Sequence, residues 1–179
     1  PYISSDYAKA AVSKWYFGSR IPELYGSASM ELSFFNSIDL SVMTTYSIGG
    51  QMYDALYVGA MNPMYTGNTW SANALRRWQK PGDRTDVPRA GINAKYTAND
   101  SYLIDASYFA IKNITLGYTL PASAARKVGV SLLRIYVTLD NMRMFNYLNG
   151  MDPQYNFSGA TDYVYSPNKT YTIGLNLNF

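Results

Sequence analysis

Residues 170–179, TYTIGLNLNF, alternate strictly between apolar and polar side chains. Because an extended strand points successive side chains to opposite faces, this segment predicts a strand with one apolar and one polar face. In a soluble protein the apolar face contacts a core, whereas in an outer-membrane barrel it contacts lipid and the polar face borders a wet lumen. A strand that ends on an aromatic residue at the last position, Phe179, favours the barrel.

Four further segments predict strands by the same alternation, namely residues 27–35, 38–48, 107–120 and 133–143. The connections alternate in length: residues 36–37 and 121–131 are short, and residues 49–106 and 146–169 are long. A sandwich does not predict this alternation, whereas a barrel with two different sides does. About eight strands are needed to close a barrel. The chain is therefore expected to be all-β, an antiparallel transmembrane β-barrel segment of about five strands with long extracellular loops.

Three irregular features interrupt this pattern. Ala110, Ile114, Leu116 and Tyr118 share one apolar parity that only Lys112 breaks, and a place near the outer rim would let that amine reach water. The long segment 51–106 has little periodicity and predicts one short helix at residues 71–79. Residues 121–129 predict a helical turn that begins at a proline and ends at a glycine.

Composition excludes several classes of function. Charged residues make up 15% of the chain and the net charge is +3, with no basic run longer than two residues, so we expect no nucleic-acid partner. The chain has neither His nor Cys, so no Ser–His or Cys–His pair can form and no enzyme is expected. No ligand pattern predicts a metal site or cofactor. The first ten residues lack a signal peptide, so the start of an exported protein is expected upstream.

Several long strings resemble the C-terminal region of SusC-like TonB-dependent transporters (the RagA/SusC family), which are nutrient importers of bacterial outer membranes. The strings are RRWQKPGDRTDVPRA at 76–90, SYFAIKNITLGYTLP at 107–121, VGVSLLRIYVTLDN at 128–141, GMDP at 150–153 and the terminal TIGLNLNF. The resemblance covers roughly residues 70–179. YFAI at 108–111 departs from the more usual Tyr-Leu-Arg-Leu.

This resemblance implies a barrel of about 22 strands with a plug in its lumen. Residues 1–179 would then be the C-terminal part of the barrel, with the plug and the leading strands outside this chain. It also implies uptake of oligosaccharides or peptides, a SusD-like surface lipoprotein as lid, TonB as energy source through absent segments, and contact with outer-membrane lipid. Residues 36–37 and 121–131 would be periplasmic, and residues 1–26, 49–106 and 146–169 extracellular.

Aromatic and charged residues of the loops are the candidates for external contacts. The aromatic candidates for substrate or partner contact are Trp70, Trp78, Tyr65, Tyr147 and Tyr155. The alternative roles of these aromatic residues are packing between loops or a place in the aromatic girdle of the membrane. The candidates for an ion-pair network that fixes a loop are Arg77, Asp83, Asp86 and Arg89, for which ligand binding is the alternative.

The strands supply a second set of candidates. Alternation places Asn113, Arg134, Asp140 and Asn176 on the polar parity, so we expect them to face the lumen. The resemblance implies that Phe179 is an assembly signal. Two other functions stay open at this point, a TonB-dependent transporter for an iron chelate or other small ligand and a soluble β-sandwich carbohydrate-binding module.

Overall fold

The structure is a computed structural model that describes residues 8, 12, 18–62, 69–90, 100–147, 151–154, 159–161 and 164–179. Its strands are β1 (Leu24–Phe34), β2 (Ile38–Ile48), β3 (Gln51–Tyr53), β4 (Leu103–Asp105), β5 (Tyr108–Thr119), β6 (Leu132–Asn146) and β7 (Thr170–Asn178). Its α-helices are α1 (Ala55–Met61) and α2 (Ala122–Ala125), and its 3₁₀ turns are Ala72–Arg76, Asp100–Tyr102 and Arg126–Val128. None of the helices described is long and apolar enough to span a membrane.

The main sheet has five strands in the order β1-β2-β5-β6-β7, and every neighbouring pair is antiparallel. These are the five strands that alternation predicts. The remaining two strands, β3 and β4, form a separate two-stranded sheet within the long connection between β2 and β5. Strands of three residues are too short to show a period, which is why the sequence did not predict them.

The register aligns apolar side chains into continuous rows, which together form what we call the apolar face. Directly paired residues lie on the same face of a sheet. One row is Leu32, Leu40, Leu116, Val137 and Ile173; the next is Phe34, Ile38, Tyr118, Ile135 and Leu175; the third is Met30, Val42, Ile114, Leu139 and Tyr171. No described element covers these rows: Ile173 is 79%, Leu175 56% and Tyr171 65% exposed.

The opposite side of the sheet, the polar face, consists of the intervening rows. One is Ser33, Asp39, Gly117, Tyr136 and Gly174; the next is Glu31, Ser41, Thr115, Thr138 and Thr172; the third is Ser29, Met43, Asn113, Asp140 and Thr170. Met43 and Tyr136 are the large hydrophobic or aromatic side chains in these three rows. The sheet is therefore amphipathic across its whole width.

A register shift in β5 changes the faces of its first residues. The pairing shifts between Met43 and Thr44 against β2, and again between Ile111 and Asn113 against β6, so Lys112 lies within a bulge. Ala110 consequently pairs with Thr45, on the polar face, and is only 2% exposed. The predicted single parity from Ala110 to Tyr118 is therefore wrong, because an extra residue resets the alternation.

The short connections follow local turn chemistry. In the β1–β2 turn the amide of Ser37 donates to the carbonyl of Phe34 (3.1 Å), and Phe35 and Asn36 both have positive φ, so the turn centres one residue before the predicted pair. Between β5 and β6, Pro121 precedes α2, and Gly129 closes the following 3₁₀ turn in the left-handed region (φ 79°). This confirms the predicted order of proline first and glycine last.

Glycines let large polar-face side chains lie flat on the sheet. A Cβ atom at Gly174 would overlap the ring of Tyr136, the residue directly opposite on β6. The same holds at Gly117, where a Cβ atom would lie 2.5 Å from Asp39 Oδ1 and 2.6 Å from Arg134 Nη2. Glycine at these positions therefore serves close approach of side chains.

We predict that Gly174→Ala destabilises the full-length barrel by about 1–3 kcal/mol, because the new methyl group must displace the Tyr136 ring. The measurement is the urea concentration at the midpoint of unfolding, with the heat-dependent shift in gel mobility as the readout. In a Tyr136→Ala background the same change should cost much less. The matched control is Gly59→Ala in α1, where a Cβ atom meets nothing within 4 Å. Equal losses at Gly174 with and without Tyr136 would contradict the prediction.

Candidate functional site

A charged pair lies on the polar face, near the end of the sheet that carries the short turns. The Arg134 guanidinium donates two hydrogen bonds to Asp39, from Nε to Oδ1 (3.2 Å) and from Nη2 to Oδ2 (2.5 Å). Both hydrogen bonds pass over Gly117 of β5, which separates the two strands. The two side chains are 28% and 38% exposed, so water reaches the pair but does not surround it. The guanidinium also lies 5.1 Å from the ring centroid of Tyr136.

A second polar cluster lies further along the same face, towards the long loops. Asn113 Nδ2 donates to Asp140 Oδ1 (2.7 Å), and Thr115 Oγ1 donates to Asn113 Oδ1 (3.1 Å). The hydroxyls of Thr115 and Thr138 are 3.1 Å apart and share a hydrogen bond. Neutral amide and hydroxyl groups thus surround one carboxylate, which suits a hydrated wall more than a catalytic group.

All four strand candidates occupy the polar face. Asn113 pairs with Asp140, and Arg134 pairs with Asn176, an exposed residue of β7. The structure joins the first two by a hydrogen bond but gives Arg134 a different partner, Asp39. Sequence analysis missed Asp39, although its polar parity within the second predicted strand was a usable signal.

Buried polar groups hold the long loops together at the other end of the sheet. The carboxylate of Asp54 caps α1 by accepting from the amide of Tyr57 (3.0 Å), and its Oδ1 also accepts from Thr161 Oγ1 (3.1 Å). Thr161 Oγ1 in turn accepts from the amide of Leu56 (3.0 Å). Asp54 and Thr161 are both buried. The two long connections are therefore joined through one capping carboxylate.

Backbone pairing reinforces this junction. Tyr53 bridges Ala160 in parallel, its amide donating to Gly159 (2.8 Å) while the amide of Thr161 donates to the Tyr53 carbonyl (2.8 Å). The Tyr53 and Tyr102 rings meet edge to face with centroids 6.2 Å apart. Burial raises the pKa of the Tyr53 phenol above its ordinary value.

A small apolar core fixes the segment that carries two tryptophans. Met61, Ala74 and Val87 are buried together, and Tyr57 and Trp70 pack against them. Trp70 therefore has a packing role, which is the alternative that the sequence analysis left open for the loop aromatics. Its contact with a substrate or partner stays a prediction.

The other aromatic candidates differ in their surroundings. Trp78 is half-buried, and its amide donates to the carbonyl of Val87 (3.0 Å). Tyr147 is exposed just beyond β6. Tyr65 and Tyr155 lie outside the described residues.

The segment 76–90 is held mainly by hydrogen bonds to its backbone. Asp83 Oδ2 accepts from the amides of Gln79 and Lys80 (3.0 Å each), and Arg77 donates to the carbonyl of Ala74 (3.3 Å). Thr85 Oγ1 donates to the carbonyl of Arg76 (2.5 Å) and accepts from the amide of Val87 (3.1 Å).

The predicted ion-pair network of Arg77, Asp83, Asp86 and Arg89 is therefore not the arrangement observed. The ion pair in this segment joins Asp86 to Arg76 at 3.7 Å, with both side chains well exposed. Arg89 is exposed at its end. The predicted helix at 71–79 is a shorter 3₁₀ turn, Ala72–Arg76, whose cap is Ser71 (3.3 Å to the amide of Asn73).

Within the described ranges, no group of three or more acidic, His or Cys side chains is arranged to hold a metal ion. The candidate site is instead an extended polar surface on the sheet, bordered at one end by two joined loops, one of which contains a small apolar core. Such a surface can line an aqueous path and hold other parts of a protein by hydrogen bonds.

Comparison with known proteins gives concordant results in sequence and in structure. TonB-dependent receptor P3 of Formosa agariphila is 30% identical over 158 residues, which is 81% of this chain and 15% of that protein. A solved structure of the RagAB peptide transporter superposes with a TM-score of 0.77 at 25% identity, and RagAB in its open-open state superposes with 0.77 at 24% identity. Each superposition covers 90% of this chain and 18% of the other.

No protein-family model matches the chain. The chain spans about 15% of the length of the receptor from Formosa agariphila, so it corresponds to a piece of such a protein. The predicted resemblance is confirmed by the relatives and by the shared fold. The chain is similar in sequence to a segment of TonB-dependent receptors and in fold to a segment of the SusC-like RagAB transporter.

Proposed function

We propose that the polypeptide carrying this segment is a SusC-type importer of the outer membrane, and that the segment forms part of its barrel wall. The observation that carries the proposal is the bare apolar face, with three rows of five residues running across the sheet. An open apolar surface of this size would aggregate in water. In a bilayer the hydrocarbon chains cover it without further protein.

The sheet edges support a larger closed barrel. In the part described, β1 and β7 each pair with a neighbour on one side only. The outer edge of each strand, eleven residues in β1 and nine in β7, therefore has unpaired backbone groups. Unpaired amide and carbonyl groups are costly in hydrocarbon, so further strands must pair with both edges. Residues 1–179 are then the C-terminal part of the barrel, with the plug and the leading strands elsewhere in the polypeptide, and Phe179 acts as an assembly signal.

The polar face borders the lumen in this proposal. Asn113, Asp140 and Asn176 contact water or the plug there, and the Asp39–Arg134 pair ties three strands together across the wall. The same orientation puts the short turns in the periplasm and the loops with Trp78 and Tyr147 outside the cell. These two residues are the exposed or half-exposed candidates for contact with a substrate or a partner.

Substrates and partners follow by similarity. The solved neighbours are described as a peptide importer and transporter. We propose import of peptides or oligosaccharides, a SusD-like lipoprotein as lid, and energy from TonB through segments outside this chain. The matched relative is described as a receptor, which supports a role without catalysis. Uptake of an iron chelate is the second candidate within the same family.

The soluble carbohydrate-binding sandwich finds little support. A sandwich needs a second sheet packed on the apolar face, and the only other described sheet is the two-stranded β3–β4 pair. That pair joins the loops, and Ile173 stays largely exposed.

The proposed orientation can be tested by labelling thiols in intact cells. This segment has no Cys, so Lys80→Cys in a long loop and Ser123→Cys in α2 each add one thiol at an exposed position. A membrane-impermeant maleimide should label Lys80→Cys in intact cells and Ser123→Cys only after the outer membrane is permeabilised. Equal labelling of both variants in intact cells would reject the orientation.

We expect the Asp39–Arg134 pair to stabilise the barrel wall. Arg134→Gln should lower the free energy of unfolding of the full-length barrel by about 1 kcal/mol, since the pair is bidentate but partly solvated. Arg134→Lys should lose less, because it keeps the charge. The control is Arg84→Gln in an exposed loop. An unchanged urea midpoint for Arg134→Gln would show that the pair contributes nothing measurable.

The substrate class is tested by calorimetry on the full-length protein with its lipoprotein partner. Peptides or oligosaccharides should bind and ferric chelates should not. Tyr147→Ala should weaken binding of the substrate or of the lipoprotein roughly tenfold, as for an exposed aromatic anchor, whereas Tyr147→Phe should not. Tight binding of a ferric chelate alone would favour the second candidate, and identical affinities for Tyr147→Ala and wild type would remove Tyr147 from the contact surface.

A further inference from the structure

Residues 76–90 carry the entire net positive charge of the chain. Of the 15 Lys and Arg residues and the 12 Asp and Glu residues, ten of each lie outside this segment, so the net charge of +3 lies within it. Its charged residues are Arg76, Arg77, Lys80, Asp83, Arg84, Asp86 and Arg89. A local excess of one sign of charge attracts ligands of the opposite sign, whereas the rest of the chain is balanced.

The two carboxylates of this segment already have partners. Asp83 accepts hydrogen bonds from two backbone amides (3.0 Å each), and Asp86 pairs with Arg76 at 3.7 Å. Lys80 and Arg84 are both exposed, and within the described part of the chain neither has a carboxylate partner. Two cations of the segment are therefore available to an anion from outside.

A defined turn holds these two cations close together. The amide of Asp83 donates to the carbonyl of Lys80 (3.1 Å), and Gly82, which follows a proline, has a φ of +96°. Such a turn keeps its first and fourth Cα atoms within about 7 Å, and the next residue adds about 3.8 Å, so the backbones of Lys80 and Arg84 lie within about 11 Å. We call residues 80–84 the basic turn.

The base of the basic turn is fixed to the small apolar core of the loop. The amide of Trp78 donates to the carbonyl of Val87 (3.0 Å), and Thr85 Oγ1 bonds both the carbonyl of Arg76 and the amide of Val87. Val87 is buried with Met61 and Ala74. The turn is thus held in place before a ligand arrives, which lowers the entropy lost on binding.

We propose that Lys80 and Arg84 capture the carboxylates of an acidic nutrient oligomer, so that the importer prefers anionic substrates to neutral ones. This inference rests on the proposed function, whose orientation puts this loop outside the cell. A guanidinium binds a carboxylate through two parallel hydrogen bonds, and an ammonium binds it as a point charge. Acidic peptides and uronic-acid oligosaccharides both carry this group at a regular spacing. In an extended peptide, alternate side chains lie about 7 Å apart, which two cations of the basic turn can span.

A soluble nutrient is favoured over a protein partner by the composition of the turn. Protein interfaces are depleted of Lys and centre on buried aromatic residues. The two residues that follow Lys80 are instead Pro81 and Gly82, both exposed. Because exposed ion pairs are individually weak, we expect the turn to act chiefly by raising the rate of association, an effect that salt screens.

The test measures association and dissociation by surface plasmon resonance on the full-length protein with its lipoprotein partner. The probes form two pairs, a glutamate hexamer with a glutamine hexamer, and a galacturonate hexamer with its methyl ester. At low ionic strength the wild type should bind at least one anionic probe roughly tenfold more tightly than its neutral counterpart. The preference should disappear in about 1 M salt, where charges are screened within about 3 Å. The pair that shows it identifies the source of the carboxylates.

The decisive variant combines Lys80→Glu with Arg84→Glu. The turn bonds to the backbone of Lys80 and not to its side chain, so the fold should be kept, and heat-shifted gel mobility checks this. The variant should lose the preference for the anionic probe, mainly through slower association. Lys80→Arg combined with Arg84→Lys keeps both charges and should bind like the wild type.

The matched control combines Arg126→Glu with Lys127→Glu, two exposed cations at the opposite end of the sheet. It changes the net charge by the same amount and should keep the preference. Equal losses in the control would show an effect of overall charge and overturn the proposal. So would a preference that survives in the double variant at the basic turn. If that variant keeps its preference but loses the lipoprotein, the turn belongs to the protein interface and the proposal is rejected.

Failure of the proposed function has a different signature. Equal binding of charged and neutral probes by the wild type, with nutrient uptake intact, rejects the capture of anions alone. A protein that binds no probe of either kind and is absent from the outer-membrane fraction refutes the importer, and the inference with it.

Discussion

The structure depends on one constraint, which is that every backbone amide and carbonyl of a segment crossing hydrocarbon must find a partner within the protein. Antiparallel pairing satisfies this requirement for β2, β5 and β6, each of which has a neighbour on both sides. Once the pairing is complete, the side chains are free to divide between two solvents. The rows through Ile173 on one face and through Asp39 on the other show that the register keeps this division across five strands. A shift of one residue in any strand would move its polar side chains to the apolar face.

The polar face solves a packing problem that the apolar face does not have. In the proposed barrel, large side chains on the inner wall would share the lumen with a plug, so they gain from lying close to the sheet. Gly174 beneath Tyr136 and Gly117 beneath the Asp39–Arg134 pair remove the side chains that would hold them away. The charge of Arg134 is thereby satisfied within the wall, by Asp39 and by the ring of Tyr136. The result is a smooth, hydrogen-bonded surface in place of a row of projecting charges.

Alternation alone was enough to predict the five long strands, their faces and the polar parity of Asn113 and Arg134, because a period of two is a direct consequence of the extended backbone. It could not predict the bulge at Lys112, since a single added residue looks like one misplaced polar side chain. Alternation also could not predict the partner of Arg134, because Asp39 lies on a strand that is distant in sequence. In the loops, the capping role of Asp54 and its bond to Thr161 depend on two connections meeting in space, and no local signal encodes that meeting.

The loops themselves distinguish between the two faces. At the loop end of the sheet, Ser47 and Ala110 on the polar face are buried, whereas Ile48, Phe109 and Phe145 on the apolar face are exposed. Asn146 donates to the carbonyl of Met151, which attaches the second long connection to the polar side of β6. Protein therefore covers the hydrophilic side of the sheet and leaves the hydrophobic side bare. Water as the only solvent would favour the opposite arrangement, because burial of apolar area is the main favourable term in folding. The observed preference follows if the apolar face is already covered by hydrocarbon, so that the loops gain only by closing over the polar side.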